Sequence, residues 1–108
     1  MNDLSNDPEP LEVVTKEHRA LALLRLLQRE SGYRLNDQVI LGWFQRLSLA
    51  STVADIRQCA EMLEAKGLIK IDPVDTLQVF ELTNDGEDAA LGRSVVDGVL
   101  RPRPECPY

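Results

Sequence analysis

The chain has 108 residues, with 12 Lys and Arg against 18 Asp and Glu, so its formal net charge is −6. This length fits one domain, and the balance of 44% hydrophobic and 28% charged residues excludes a disordered or fibrous chain. No apolar run approaches the roughly 20 residues of a membrane span, and the acidic start is unlike a secretory signal. The acidic balance also argues against a non-specific nucleic-acid binder. Because two lone cysteines make neither a disulfide framework nor a metal motif, we expect a cytoplasmic protein without metal or cofactor.

The N-terminal residues 1–14 are predicted to form an acidic flexible arm. They contain four carboxylates and no Lys or Arg, and Pro8 and Pro10 are expected to prevent a helix there. Thr15 is then a candidate N-cap for the first helix, and Gly32 is the glycine expected to end it. The leucines of this helix occupy more than one face, which indicates packing on two sides. This surplus of apolar surface favours a homodimer formed through the N-terminal elements.

Two further helices are predicted from caps and apolar spacing. Asn36 is a good N-cap for the second helix, and Thr52 with Asp55 three residues later resembles a capping box for the third. Gly67 follows Lys66 and is expected to end the third helix. The second helix has apolar residues at i, i+3, i+4 and i+7, and we expect all four in the core: Ile40, Trp43, Phe44 and Leu47.

The periodicity changes after Gly67. Residues 68–71 and 76–82 are predicted strands, and Asp72-Pro73-Val74-Asp75 is the predicted turn between them. Thr83 is expected to cap a short last helix that ends near Arg93, and residues 94–108 form a Pro-rich tail. This order of elements predicts an α+β fold, a winged helix-turn-helix over residues 15–93. It has a three-helix core, a β-hairpin wing and a short C-terminal helix.

Short motifs along this order also resemble a known family. They are His18-Arg19, Leu23-Leu24-Arg25-Leu26-Leu27, Gly32-Tyr33-Arg34-Leu35-Asn36, Leu63-Glu64-Ala65-Lys66-Gly67-Leu68, Leu82-Thr83, Gly92-Arg93, Gly98-Val99 and Arg101-Pro102. Over roughly residues 17–104 the chain is similar to the small, regulator-like winged-helix proteins of Mu-like transposing phages and prophages. The resemblance implies this fold and a phage or prophage origin in a bacterial host cell, and it brings no catalytic or ligand-binding residues.

In a winged helix the third helix is the expected reader of double-stranded DNA. Arg can bind guanine bidentately, Gln can bind adenine, and Ser or Thr can bind phosphate. Cations around this helix would neutralise phosphates, and tail arginines could follow the DNA backbone. The candidate DNA-binding residues are therefore Ser51, Thr52, Arg57 and Gln58 on the helix, Arg34, Arg46 and Lys70 around it, and Arg101 and Arg103 in the tail. The leading hypothesis is a sequence-specific, dimeric phage or prophage transcriptional regulator.

The acidic wing supports an alternative function. Asp72 and Asp75 would face phosphate unfavourably, so the chain could instead be a non-catalytic protein-interaction module in phage head assembly or DNA packaging. An enzyme is not expected, because His18 has no triad or metal partners in sequence and no phosphate-binding glycine loop is present. Cys59 is expected in the core and Cys106 in an exposed tail.

Overall fold

The computed structural model describes residues 10–108. Its architecture is α+β, as predicted, with four helices and a three-stranded antiparallel sheet, an arrangement compatible with a winged helix. The elements are α1 (Pro10–Arg29), β1 (Arg34–Asn36), α2 (Asp37–Arg46), α3 (Val53–Ala65), β2 (Ile69–Val74), β3 (Leu77–Leu82) and α4 (Asn84–Ala90). No helix among residues 10–108 is long and apolar enough to cross a membrane.

Helix α1 begins at Pro10, so the predicted start at Thr15 was wrong. Proline is tolerated in the first turn of a helix because the N–H it lacks has no partner within the helix there. Thr15 is helical, and its hydroxyl donates to the carbonyl of Leu11 at 2.7 Å instead of capping. The part of the predicted arm that spans residues 10–14 is therefore helical, and the remainder, residues 1–9, lies outside the described residues.

The sheet has the strand order β1-β3-β2, and both pairs are antiparallel. The hairpin turn lies at Asp75-Thr76, not at Asp72–Asp75 as predicted, and Asp75 has a φ of 55°. Pro73 is part of β2, opposite Gln78. The strand accommodates this proline because β2 is an edge strand, where a missing N–H breaks no ladder on the outer side.

The ends of two helices also differ from prediction. After α1 the residue with positive φ is Tyr33, at 57°, and not Gly32. Helix α4 ends at Ala90, three residues before the predicted end at Arg93. Three predicted N-caps are confirmed: Asn36, Thr52 and Thr83. Each side chain accepts a hydrogen bond from a backbone N–H that the start of its helix leaves free. The prediction that Gly67 follows the end of α3 is also confirmed, and this glycine has a left-handed backbone.

The core lies where the helices meet the sheet. Phe44 of α2 and Phe80 of β3 are fully buried, together with a row of α1 residues that includes Leu23, Leu24 and Leu27. Trp43, predicted in the core, is 40% exposed. Helix α2 faces the core with Ile40 and Phe44, and position 43 lies about 100° around the helix from position 44. The indole therefore lies outside the buried stripe.

The tail folds back along α1. The Leu100 N–H donates to the Glu17 carbonyl at 3.2 Å, and Arg25 donates to the carbonyls of Ala90 and Tyr108 at 2.9 and 2.8 Å. The ring of Tyr108 meets His18 edge-on, with His18 Nδ1 2.8 Å from the Tyr108 hydroxyl. The tail therefore packs against the predicted domain.

Candidate functional site

The start of α3 is held by a complete capping box. The hydroxyl of Thr52 accepts from the Asp55 N–H at 3.2 Å, while Asp55 Oδ2 accepts from the N–H groups of Ser51 and Thr52 at 3.1 and 3.3 Å. The hydrogen bond from Ser51 is the main cause that lowers the pKa of the Asp55 carboxyl. A helix N-terminus attracts anions, but here a carboxylate already occupies that position. Two candidate DNA-binding residues, Ser51 and Thr52, thus lie beside a negative charge.

Arg57 is engaged by the protein itself. Its Nε and Nη2 donate to Asp37 Oδ2 at 2.9 and 2.7 Å, and Nη2 also donates to the Thr76 carbonyl at 3.0 Å. The Asp37 side chain is fully buried, and 34% of the Arg57 side chain is exposed. The guanidinium therefore joins α3 to the start of α2 and to the turn of the β2–β3 hairpin. Reading a guanine would require Arg57 to leave a buried carboxylate.

The other candidate cations are spread over several elements. Arg34 of β1 lies 3.5 Å from the Asp72 carboxylate, and Arg103 of the tail lies 3.8 Å from that of Glu105. Three candidates are exposed and have no ion pair within residues 10–108: Arg46, Lys70 and Arg101. They belong to α2, β2 and the tail. Of the six cations among the nine candidates, the other three each have a carboxylate within 4 Å.

The outward face of α3 is small and polar. Its exposed residues at helical spacing are Ala54, Gln58, Glu61 and Ala65. Gln58 offers an amide that can donate and accept, and Glu61 offers only acceptors. The neighbouring Glu64 accepts from the Ile71 N–H at 2.9 Å and so fixes β2 beside this face. The face could approach another surface closely, but it contains no cation.

The exposed carboxylates of α3 and the hairpin define an acidic surface, made of Glu61, Glu64, Asp72, Asp75 and Glu81. Sequence reasoning predicted the acidic hairpin but missed the buried Asp37. An acidic residue in a first helical turn is normally explained by the helix dipole, so the sequence contained no separate signal for its burial.

A groove of about 370 Å³ separates α1 from α3. Arg19 and Met62 line it, and so does Cys59, whose burial raises its pKa to about 12. A thiol with a raised pKa is a poor nucleophile, so this groove has no activated catalytic group from Cys59. Residues 10–108 also contain no group of three or more His, Cys, Asp or Glu that could hold a metal.

Comparisons with known proteins add no relative. No family model matches the chain, and searches of curated proteins and of solved structures give no match.

Proposed function

We propose that the chain is a non-catalytic protein-interaction module with a winged-helix frame. The observation that supports it best is Arg57. Arg57 is the candidate base reader that could bind guanine through two hydrogen bonds. In the structure it is bound to the buried Asp37 and to the hairpin. A fixed guanidinium contributes to the frame and not to recognition of a nucleic acid.

The distribution of cations supports the same conclusion. Affinity for duplex DNA comes largely from counterion release as Lys and Arg neutralise phosphates. Arg57 is bound to the buried carboxylate of Asp37, and Arg34 and Arg103 each lie near an exposed carboxylate in a weak surface pair. Asp72 and Asp75 place negative charge where a DNA-binding hairpin would meet phosphate. The pairing of these cations and the negative charge of the hairpin both lower the expected affinity for DNA.

The acidic surface indicates the chemistry of the partner. Exposed carboxylates on α3 and on the hairpin suit a protein with a basic surface, since complementary charge speeds association and excludes wrong partners. The resemblance to Mu-like phage proteins points to a head or packaging protein as this partner. The proposed site of action is the cytoplasm of the bacterial host.

Sequence-specific binding of duplex DNA, as a phage regulator, is the second candidate. The specific observation in its favour is the link from Arg57 to Thr76, which fixes the hairpin relative to α3. Gln58 is exposed on the outward face and could bind adenine. Arg46, Lys70 and Arg101 would then supply the phosphate contacts.

Selection of bound duplexes from a random pool, at low and at near-physiological salt, separates the two functions. We expect no enriched sequence at either salt. Enrichment of a palindrome would overturn the proposed function and establish the second candidate, with half-site spacing giving the dimer geometry.

A second measurement tests the partner. Purified head and packaging proteins of Mu-like phages are tested for binding to the wild type, to Asp72→Asn/Asp75→Asn and to Asp97→Asn, a control in the exposed tail. We expect one partner whose binding weakens with salt and in the hairpin variant only. Equal binding by all three chains would contradict a role for the acidic surface.

A further inference from the structure

Tyr108 is held on α1 at two points. Its phenol oxygen lies 2.8 Å from His18 Nδ1, and the two rings meet edge-on with centroids 5.6 Å apart. Its backbone carbonyl accepts from Arg25 Nε at 2.8 Å and from Arg29 Nη2. Burial raises the pKa of the Tyr108 phenol, as expected for a ring that is shielded from water. The side chain and the backbone of this one residue are therefore both bound by α1.

The two arginines of this site form a pair of charged donors. Neither forms an ion pair with an Asp or Glu among residues 10–108. Arg25 also donates to the Ala90 carbonyl at 2.9 Å, so its guanidinium is anchored at the end of α4. Hydrogen bonds from a charged donor are stronger than neutral ones, and here the donors of Arg25 and Arg29 converge on one oxygen. This arrangement favours a segment that presents a backbone carbonyl at this position.

The same face of α1 contains a leucine that lies outside the main core. Leu21 lies between His18 and Arg25 at helical spacing, so the three residues share one face. Leu21 is fully buried, although it does not belong to the cluster that forms the main core. The tail follows this side of α1, where the Leu100 N–H donates to the Glu17 carbonyl. The tail therefore provides α1 with a second packing side, in agreement with the leucines that occupy more than one face of the helix.

The tail reaches this face without regular secondary structure. Helix α4 ends at Ala90, and residues 91–108 contain neither a helix nor a strand. Gly92 and Gly98 have positive φ, at 78° and 87°. Segments with few backbone hydrogen bonds open at a lower free energy than helices and strands of the core. The tail can therefore detach from α1 while the helices and the sheet remain folded.

We infer that this face of α1 is a docking site for a chain segment that presents a tyrosine, and that residues 94–108 occupy it as a displaceable strap. The tyrosine binds His18 through its hydroxyl and binds Arg25 and Arg29 through its carbonyl. A partner segment that competes for the site needs both groups at the spacing that one tyrosine provides. The inference goes beyond the proposed function and does not depend on it, because it uses none of the residues of the acidic surface.

A peptide of residues 94–108 tests the site by binding to the full chain. The peptide has Cys106→Ser to prevent disulfides, a C-terminal amide and a fluorophore at its first residue, so that fluorescence anisotropy reports binding. In the wild type the chain's own tail competes at an effective concentration on the order of millimolar, and the peptide should bind weakly. In a Tyr108→Ala chain the tail loses its phenol contact, and we expect the peptide to bind at least about tenfold more tightly. Val95→Ala is the matched control, because Val95 is 70% exposed in the tail and the peptide should bind this chain as weakly as the wild type.

Changes in the peptide identify the tyrosine contacts. On the Tyr108→Ala chain, a Tyr108→Ala peptide should bind at least about tenfold more weakly than the wild-type peptide, and a Tyr108→Phe peptide about fivefold more weakly because it lacks only the hydroxyl. Adding His18→Ala to that chain should remove the difference between the tyrosine and phenylalanine peptides. Circular dichroism confirms that each chain is folded.

Three results would overturn the inference. The first is no saturable binding of the wild-type peptide to the Tyr108→Ala chain. The second is equal binding of this peptide to the wild-type and Tyr108→Ala chains, since the strap would then not occupy the site. The third is a Tyr108→Ala peptide that binds as tightly as the wild-type peptide, since the site would then not recognise the tyrosine.

Discussion

Arg57 and Asp37 form the ion pair that joins the second and third helices. Two guanidinium nitrogens donate to one carboxylate oxygen at 2.9 and 2.7 Å, and the carboxylate is fully buried. The other oxygen, Asp37 Oδ1, has no hydrogen-bond partner in the described structure. The buried Asp37 carboxylate is therefore compensated through one of its two oxygens only, and this compensation depends on Arg57.

Removal of Arg57 should destabilise the fold more than removal of any other charged side chain at the surface. Arg57→Ala leaves the Asp37 carboxylate buried and unpaired. We expect the free energy of unfolding to fall by about 2–3 kcal/mol. The fall is smaller than for a fully buried ion pair because Arg57 is partly exposed. Arg101→Ala, in the exposed part of the tail, should change it by under about 0.5 kcal/mol. Urea unfolding measures both. Adding Asp37→Leu to Arg57→Ala should restore part of the loss, and a double variant no more stable than Arg57→Ala would contradict the unpaired-charge explanation.

Two helical glycines should respond to alanine in opposite directions. A Cβ at Gly86 would lie 2.0 Å from the Leu68 carbonyl oxygen and 2.7 Å from Leu82 Cδ1, so α4 must move off the end of β2. We expect Gly86→Ala to cost about 1–3 kcal/mol, as overpacking does. A Cβ at Gly42 meets nothing, so Gly42→Ala should gain up to about 1 kcal/mol from helix propensity. Thermal unfolding of both variants, measured beside the wild type, tests this prediction. A Gly86→Ala variant as stable as the wild type would contradict the close approach of Gly86 to Leu68 and Leu82.

The two cysteines should differ strongly in reactivity. Burial raises the pKa of Cys59 to about 12, whereas Cys106 is partly exposed in the tail. At pH 8 a thiol reagent should modify one cysteine at once and the other only on unfolding. Cys106→Ser should remove the fast phase and leave the slow one, and a fast phase that persists would place Cys59 at the surface. Because the folded pKa is raised, this thiol's contribution to stability is complete below about pH 9 and is lost as the pH rises toward 12.

Asp55 should stabilise the fold in a pH-dependent way. Its pKa is lowered, first by the hydrogen bond from Ser51, so its contribution is present above the unfolded pKa and is lost as pH falls through the folded one. Asp55→Ala should cost about 1 kcal/mol at neutral pH, and the difference from wild type should shrink below about pH 4. Asp97→Ala, in the exposed tail, is the control. A difference that stays constant down to pH 2 would exclude the carboxylate as its source.

Several local features follow from the sequence because they depend on neighbouring residues alone. The caps at Asn36, Thr52 and Thr83 belong to this class, since each side chain binds a backbone N–H two or three residues away. Errors arose where one residue type allows two local outcomes. Pro10 can either break a helix or begin one, and Pro73 can lie in a turn or in an edge strand.

The candidate site was less predictable than the fold. Arg57 was identified as an exposed base reader because charge on a helix normally faces solvent. Its contact with Asp37 spans 20 residues of sequence and its contact with Thr76 spans 19, and neither pair is close by helical spacing. The exposure of Trp43 likewise depends on which side of α2 the sheet covers.

The sequence by itself therefore determined the α+β order of elements, the caps at Asn36, Thr52 and Thr83 and most of the core, because short-range hydrogen bonds and apolar periodicity specify these. Only the tertiary structure decided which charges remain free. Burial of Asp37 commits Arg57 to the frame, and the end of the core at Ala20 leaves Leu11 and Val14 exposed. The physical reason is that desolvation and ion pairing depend on distances between elements, which helical and strand spacing do not encode.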